Sequence, residues 1–391
     1  LVAPSVALVV ACSGADSPIV GGGSDDDDDS THDAAIDGTF SEGDGSTSGG
    51  DASSGSDGSA VDGGVVGTTG PCDDALPVYG NARSFAHALG ICTLAAKDGF
   101  GLVSARFTSA YVDGDGGVGS GNPAGHVFGD AGTTVQAGVL RRFGDTLVPR
   151  EGKALGVLST GYAGQFDEID DGGAHDSGPA FASSTALGTT GILPPGYPRP
   201  TPGCEATTGT YDMVDVELTL KAPPDAHGFS FDYAFFGSDW PMFVCTQFND
   251  AFAAYVRSSA LHGVDLASDP KNRPISVNAA YVDHCTPDAG IPCYASQAQI
   301  DDAGLSWPCG AGTQELSGTG YGIVQTGCSG PASAGAGTGW LTASAPVSPG
   351  ETFTIDLMIW DSGDGIIDSS TILDRFQWLA AAPTAGTTVA K

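Results

Sequence analysis

The sequence has few basic residues and no apolar run long enough to cross a membrane. Only 14 of its 391 residues are Lys or Arg, against 47 Asp or Glu, which gives a formal net charge of −33. No Lys or Arg precedes Arg83. Beyond residue 71 there are 34 acidic residues and 14 Lys or Arg, which gives this part of the chain a net charge of −20. Such a field repels the phosphate backbone of nucleic acid, so we expect no nucleic-acid partner. The apolar stretch at residues 1–11 is too short for a spanning helix, which needs about 20 residues.

The usual motifs of enzymes and metal sites are absent as well. The sequence contains no G-x-S-x-G, H-E-x-x-H or G-x-x-x-x-G-K-[ST] pattern and no C-x-x-C pair. Its seven histidines are scattered, with no two at metal-ligand spacing. Paired carboxylates are too common in so acidic a chain to identify a glycosidase. We therefore predict a protein without catalytic residues, and we keep as an alternative a secreted hydrolase built from distant carboxylates.

The apolar run at residues 1–11 is followed directly by Cys12. This pattern resembles the end of a bacterial signal peptide that runs into a lipobox, with Val9, Val10 and Ala11 before the cleavage site. The resemblance implies that 1–11 is a partial signal peptide and that Cys12 is acylated and becomes the new N-terminus. The position usually held by Leu is Val9 here. The alternative is a short apolar strand with an ordinary cysteine.

The segment 12–71 is rich in Asp, Gly and Ser, including the run SDDDDDS at 24–30. It has too few aromatic and branched apolar residues to offset the entropy of ordering the chain. We predict a disordered tether, extended by the mutual repulsion of its aspartates. A nonspecific calcium-binding role for the Asp run is the weaker alternative.

Cysteine usage indicates export. Once Cys12 is assigned to the lipid, eight cysteines remain, an even number that can pair completely in an oxidising compartment. The last four are expected to pair locally, although eight cysteines allow 105 pairings. The eight residues are Cys72, Cys92, Cys204, Cys245, Cys285, Cys293, Cys309 and Cys328.

The segment 72–391 is predicted to form a disulfide-braced, all-β domain. With 60 glycines, helical bundles are disfavoured, because each Gly weakens a helix interior by about 1 kcal/mol relative to Ala. One short helix is expected between Cys72 and Cys92, where Phe85, Ala88 and Leu89 share a face. Short alternating segments separated by Gly, Pro and Asp turns favour an antiparallel β-sandwich of jelly-roll type. The predicted strands are 101–112, 138–143, 154–159, 212–220, 228–236, 251–257, 274–280 and 352–360.

Two blocks, FSFDYAFFGSDWPMFVCTQFNDAFAAYV at 229–256 and TGWLTASAPVSPGETFTIDLMIWDSGDGIIDSSTIL at 338–373, resemble choice-of-anchor L domain surface proteins, and upstream segments are similar to the myxobacterial members. The resemblance is strongest over 228–375. It implies an exported surface protein with no established enzymatic activity. The residues that carry the first block include Phe231, Ser238, Asp239, Trp240, Pro241, Phe248, Asn249 and Asp250. The chain departs from the family pattern at 270–274 and in the cysteine-rich stretch 285–328.

The most specific metal candidate is the aspartate group Asp361, Asp364 and Asp368. These residues follow a predicted strand and are interrupted by Gly363 and Gly365, so the backbone can turn and let oxygens converge on Ca²⁺. A solvated hairpin turn is the competing interpretation. Calcium is the only cofactor that we expect. Asp113 with Asp115 forms a second group that does not match an EF-hand.

Asp239 before Trp240 is compatible with a sugar-binding acid beside a stacking aromatic residue, but a turn residue beside a core anchor is favoured. Taken together, the sequence predicts a cell-surface lipoprotein of the bacterial outer membrane or cell surface, with a binding or adhesion domain. Its partners would be the membrane, through the lipid, and an unknown surface glycan or protein. A structural envelope protein is a further alternative.

Overall fold

Antiparallel β-strands build most of the regular structure. The computed structural model describes residues 64–66, 71–111, 127–129, 132–164, 190–279, 281–286, 293–327 and 330–391, all within one compact unit, 59–391. The helices are α1 (Ala82–Ala88), α2 (Ala95–Asp98) and α3 (Gln297–Ala303), with a 3-10 turn at Gln314–Leu316. The strands are β1 (Val65–Val66), β2 (Gly101–Thr108), β3 (Val127–Gly129), β4 (Ala137–Leu140), β5 (Leu155–Ser159), β6 (Tyr211–Lys221), β7 (Gly228–Gly237), β8 (Ala251–Arg257), β9 (His262–Asp265), β10 (Ile275–Ser276), β11 (Ile323–Gly327), β12 (Gly330–Ala334), β13 (Ala336–Gly337), β14 (Leu341–Pro346), β15 (Thr352–Asp361), β16 (Ser369–Leu379) and β17 (Gly386–Val389).

The strands form two facing sheets and one small hairpin. The first sheet has the order β17-β14-β7-β16-β5-β4, with β1 beside β16 and β13 beside β7. The second sheet has the order β10-β8-β15-β6-β2-β3, with β9 beside β8, and β11 pairs with β12. All of these strand pairs are antiparallel. The predicted all-β sandwich is thereby confirmed.

Strands β7 and β15 supply the centre of the core. On β7 the aromatic residues alternate, so that one face points at the other sheet, as expected for a period of two. Phe229 lies flat against Phe353 of β15, with ring centroids 5.2 Å apart. The buried apolar residues of these two strands include Phe229, Phe231, Tyr233, Phe235, Phe353, Ile355, Leu357 and Ile359.

The outer faces of both sheets are covered too. On the first sheet, Ala234 and Phe236 pack in a second apolar cluster with Phe143 and Leu155. On the second sheet a third cluster forms around Trp360 and partly buried neighbours. Every residue of β7 is therefore buried, which explains why the sequence reads FSFDYAFFG there rather than a simple alternation of apolar and polar residues.

The helix expected between Cys72 and Cys92 is present as α1. The Asn81 side chain caps it by accepting the Ser84 N–H at 3.0 Å. Its apolar face is buried, and Phe85 meets Phe107 of β2 edge to face at 6.1 Å. The expected helix is confirmed, whereas α2 and α3 were not predicted.

Two sequence predictions need correction. The stretch expected to be disordered includes β1, where Val65 lies opposite Leu379 and Val66 opposite Trp378 of β16. These two valines have branched side chains that a sheet edge can use, so order begins before residue 71. The strand predicted at 274–280 is only Ile275–Ser276, because Ala279 N–H bonds to the Ser276 carbonyl in a turn.

Candidate functional site

Two chain crossings between the sheets meet at one end of the sandwich. The connection 238–250 leads from β7 in the first sheet to β8 in the second, and the connection 362–368 leads back from β15 to β16. Asp250 joins them, since its carboxylate accepts the Ser362 N–H at 3.0 Å and the Ser369 hydroxyl at 2.8 Å. We call residues 238–250 and 361–369 the crossover end.

Four aspartates of the crossover end are buried: Asp239, Asp250, Asp361 and Asp368 are each at most 4% exposed. Burial raises the pKa of Asp239 well above its usual value, and neighbouring Asp250 adds to the rise. Burial also raises the pKa of Asp250 to about 6, although its bonds from Ser362 and Ser369 oppose the shift. Burial, followed by the charge of Asp250, likewise raises the pKa of Asp361 well above its usual value. Charged carboxylates are therefore unfavourable here without a compensating partner.

Several buried oxygens at the crossover end lack hydrogen bonds. Neither carboxylate oxygen of Asp361 has a hydrogen bond of good geometry, although Asp250 and the Thr160 hydroxyl are near enough to affect its pKa. Three further buried oxygens also lack a hydrogen-bond partner: Asn249 Oδ1 and the hydroxyls of Ser238 and Ser362. Such groups are uncommon in folded proteins, and each calls for an explanation.

Two glycines allow the acids to approach the backbone closely. A Cβ at Gly161, just after β5, would overlap the Asp368 carboxylate. A Cβ at Gly365 would lie 2.6 Å from the Asp212 carboxylate. Neither position tolerates a side chain without a shift of a buried acid, so both glycines contribute to the shape of the site.

The three residues of the predicted calcium site differ in their burial, and calcium binding by them stays a prediction. Asp361 and Asp368 are buried at the crossover end, but Asp364 is only half-buried and accepts the Ile366 N–H at 3.2 Å. Gly363 does adopt a left-handed turn, with φ of 87°. Among the described residues, no three His, Cys, Asp or Glu side chains are arranged as a metal site. Asp113 and Asp115 lie outside the described residues.

The residues of the family motif divide between the core and the crossover end. Trp240 is 4% exposed and packs in the main core, so it is a core anchor and not a stacking platform. Phe231 also belongs to the core. The peptide between Trp240 and Pro241 is cis, while Ser238, Asn249 and Asp250 are buried and Phe248 is partly exposed.

Two partly buried aromatic residues of the connection 238–250 form a group with the exposed Tyr294 of a later segment, and this grouping was not predicted from the sequence. The rings of Phe243 and Tyr294 are stacked, with centroids 5.2 Å apart and planes at 10°. Phe248 meets Phe243 edge to face, also at 5.2 Å. Tyr294 is 66% exposed, which makes it the most exposed large apolar residue in the described part of the chain. We call Phe243, Phe248 and Tyr294 the aromatic patch. Tyr294 is distant in sequence from Phe243 and Phe248, so no local signal groups it with them.

Three disulfides are present among the described residues, as the predicted disulfide bracing requires. They are Cys72–Cys92, Cys204–Cys245 and Cys285–Cys309. Cys293 is disulfide-bonded as well. Cys12 and Cys328 lie outside the described residues, so lipidation and the complete pairing of eight cysteines remain predictions. Cys204–Cys245 fastens the connection 238–250 to the chain before β6.

Comparison with known proteins supports the family resemblance. Residues 206–376 match the family model described as choice-of-anchor L domain, a domain of surface-associated proteins that is not known as an enzyme. This range runs from just before β6 into β16 and includes the whole crossover end. No curated protein and no solved structure matches the chain. None of the described helices is long and apolar enough to cross a membrane. The chain contains a choice-of-anchor L domain at residues 206–376.

Proposed function

We propose that the protein is a lipid-anchored binding module of the bacterial cell surface that holds a ligand without transforming it. The family match supports surface association. The apolar run that ends at Cys12, and the acidic stretch that follows it, support an N-terminal lipid and an extended tether. The outer membrane is the proposed location.

The aromatic patch is the observation that carries the binding proposal. Covering an exposed aromatic ring with a partner is favourable, and the Tyr294 ring, stacked on Phe243, offers a flat apolar surface at low entropic cost. Phe243 belongs to the connection 238–250, which the Cys204–Cys245 disulfide joins to the chain before β6, and Tyr294 stacks on Phe243. A loop surface at one end of a β-sandwich is a common place for recognition. We propose a glycan ring as the ligand, with an apolar protein side chain as the competing possibility.

A hydrolase is the less favoured function. The carboxyl groups whose pKa values are raised most are buried: Asp215, Asp239 and Asp361 are each at most 4% exposed. A substrate cannot reach these groups without opening the domain, whereas a glycosidase needs its two carboxyl groups on either side of an accessible bond.

Binding is tested with Tyr294→Ala, with Val148→Ser as a matched control. Both residues are well exposed, but Val148 lies in the connection between β4 and β5, at the opposite end of those strands. Purified proteins are compared on a glycan array and on outer-membrane extracts. We expect Tyr294→Ala to weaken binding at least about tenfold, as for a central aromatic contact, and Val148→Ser to bind as the wild type does. Equal binding by both variants would exclude the aromatic patch as the binding surface.

The anchor is tested separately with Cys12→Ala, expressed with a complete signal peptide. The lipid supplies the membrane affinity, so this variant is expected in the medium or periplasm instead of the membrane fraction. If Cys12→Ala fractionates with membranes as the wild type does, Cys12 is not the anchor.

A further inference from the structure

Three buried aspartates of the crossover end have no ion-pair partner among the described residues. Asp239, Asp250 and Asp361 form no salt bridge with Lys, Arg or His. Burial of such charges is costly unless they are paired, protonated or bound to a metal. Several other buried carboxylates are paired with arginine instead: Arg150–Asp232 at 2.9 Å, Arg375–Asp232 at 2.7 Å, Arg199–Asp265 at 3.0 Å, Arg273–Asp269 at 2.6 Å and Arg257–Asp356 at 3.1 Å.

The buried oxygens without hydrogen bonds independently indicate what kind of group this site would bind. Asp361 is 1% exposed, and neither of its carboxylate oxygens has a hydrogen bond of good geometry, although Asp250 and the Thr160 hydroxyl lie close. The Oδ1 atom of Asn249 is a further buried acceptor without a donor. Next to them, the Ser362 hydroxyl is also unsatisfied, while the Ser362 N–H already binds Asp250. Unsatisfied acceptors are satisfied by a cation or by a proton donor, and never by an anion.

We propose that the crossover end binds one divalent cation, with Ca²⁺ preferred, through the carboxylates of Asp239, Asp250 and Asp361. Carboxylate, amide and hydroxyl oxygens are the ligands that Ca²⁺ takes, and its coordination tolerates an irregular set better than that of Mg²⁺ does. Asp368 lies close to Asp361 and Asp239 and adds negative charge. The three carboxylates are not arranged around a common ion position in this structure, so binding requires Asp239 and Asp361 to exchange their contacts with Asp250 for contacts with the ion. The ligands differ from the group read from the sequence, since Asp364 is not among them.

The location explains what the ion does. Asp239 and Asp250 belong to one crossing between the sheets, and Asp361 is the last residue of β15, directly before the other crossing. One ion held by both connections ties the two sheets together at this end. It also fixes the connection that carries Phe243 and Phe248. The cation is therefore structural, and its effect is measured by stability and does not depend on ligand binding.

The test uses the full-length chain, treated with EGTA and desalted. Thermal unfolding is followed by circular dichroism in EGTA, in 10 mM CaCl₂ and in 10 mM MgCl₂. We expect Ca²⁺ to raise the unfolding midpoint by about 5 °C and Mg²⁺ to raise it less. A midpoint that is the same in Ca²⁺ and EGTA overturns the proposal.

Two variants in the same segment locate the ion. Asp361→Asn keeps the shape and removes the charge, so we expect it to lose the Ca²⁺-dependent shift. Asp364→Asn is the matched control and is expected to keep it, because Asp364 caps its own loop. The reverse result overturns the assignment.

A direct measurement covers the case in which Asp361→Asn does not fold. Tb³⁺ bound at the crossover end lies close to Trp240 and Trp360, the neighbours of two ligands in sequence, and excitation of tryptophan should sensitise its luminescence. One saturable wild-type site, displaced by Ca²⁺, supports the proposal. Luminescence that does not saturate, or that Ca²⁺ does not displace, overturns it.

Discussion

Removal of the Cys204–Cys245 disulfide is expected to destabilise the domain and to loosen the crossover end. The perturbation is the double variant Cys204→Ala with Cys245→Ala. Cys245 is buried within the connection 238–250, where its N–H binds the Asn278 side chain at 2.9 Å. The bond thus fixes the middle of the segment that places Asp239 and Asp250.

The magnitude follows from the length of chain that the bond closes. Cys204 and Cys245 are 41 residues apart. In the chain-entropy treatment, closing a loop of n residues changes the entropy of the unfolded chain by about −2.1 − 1.5R ln n. For this loop the change is about −13 cal/mol/K, which corresponds to a stabilisation of about 4 kcal/mol at 25 °C. For comparison, Cys72 and Cys92 are 20 residues apart, which gives about 3.3 kcal/mol.

The assay is equilibrium unfolding in urea, with the Cys72→Ala, Cys92→Ala double variant as the control. We expect both double variants to lose between about 3 and 4 kcal/mol of unfolding free energy, with a urea dependence that is equal or steeper because the unfolded chain is less constrained. Only the Cys204 and Cys245 variant should also lose the Ca²⁺-dependent rise in the unfolding midpoint, because only that bond holds the crossover end. A loss below about 1 kcal/mol for the Cys204 and Cys245 variant would refute the entropy argument. A calcium response equal in both variants would refute the structural link.

Two further predictions concern pH and the start of the folded domain. Burial, with Asp356 and Glu217 nearby, raises the pKa of Asp215, so its contribution to stability is complete below about pH 4 and is lost as pH rises. The unfolding free energy of Asp215→Asn should therefore exceed that of the wild type by at least about 1 kcal/mol at pH 8 and be similar at pH 4. The control Asp225→Asn changes an exposed residue and should leave the unfolding free energy nearly unchanged at both pH values. No gain for Asp215→Asn at pH 8 would contradict the raised pKa of Asp215. Because Val65 and Val66 pair with β16, limited proteolysis followed by mass spectrometry should leave a fragment that begins at or before Gly64, and trimming to residue 71 would contradict the pairing.

Much of the fold could be predicted from local sequence. Strands such as β6 and β15 alternate apolar and polar residues, and the turns between strands carry Gly, Pro and Asp. The helix α1 follows from the spacing of Phe85, Ala88 and Leu89. The two family blocks lie within or close to the residues that match the domain. Other strands are buried on both faces and show no alternation of apolar and polar residues. In β16, for example, Leu373 packs in the main core and Ile372 in the second apolar cluster.

The difference between what the sequence predicts and what the structure shows is largest at the crossover end. The sequence by itself determined that aspartates follow β15 and precede β8, and that glycines let the chain turn beside them. It did not determine that Asp250 would meet Ser362 across 112 positions. It also did not determine that Asp364 would be only partly buried and accept the Ile366 N–H, or that Tyr294 would be exposed and stack on Phe243. Only the pairing of two sheets decides these outcomes, because the contacts join strands that are neighbours in space and distant in the chain.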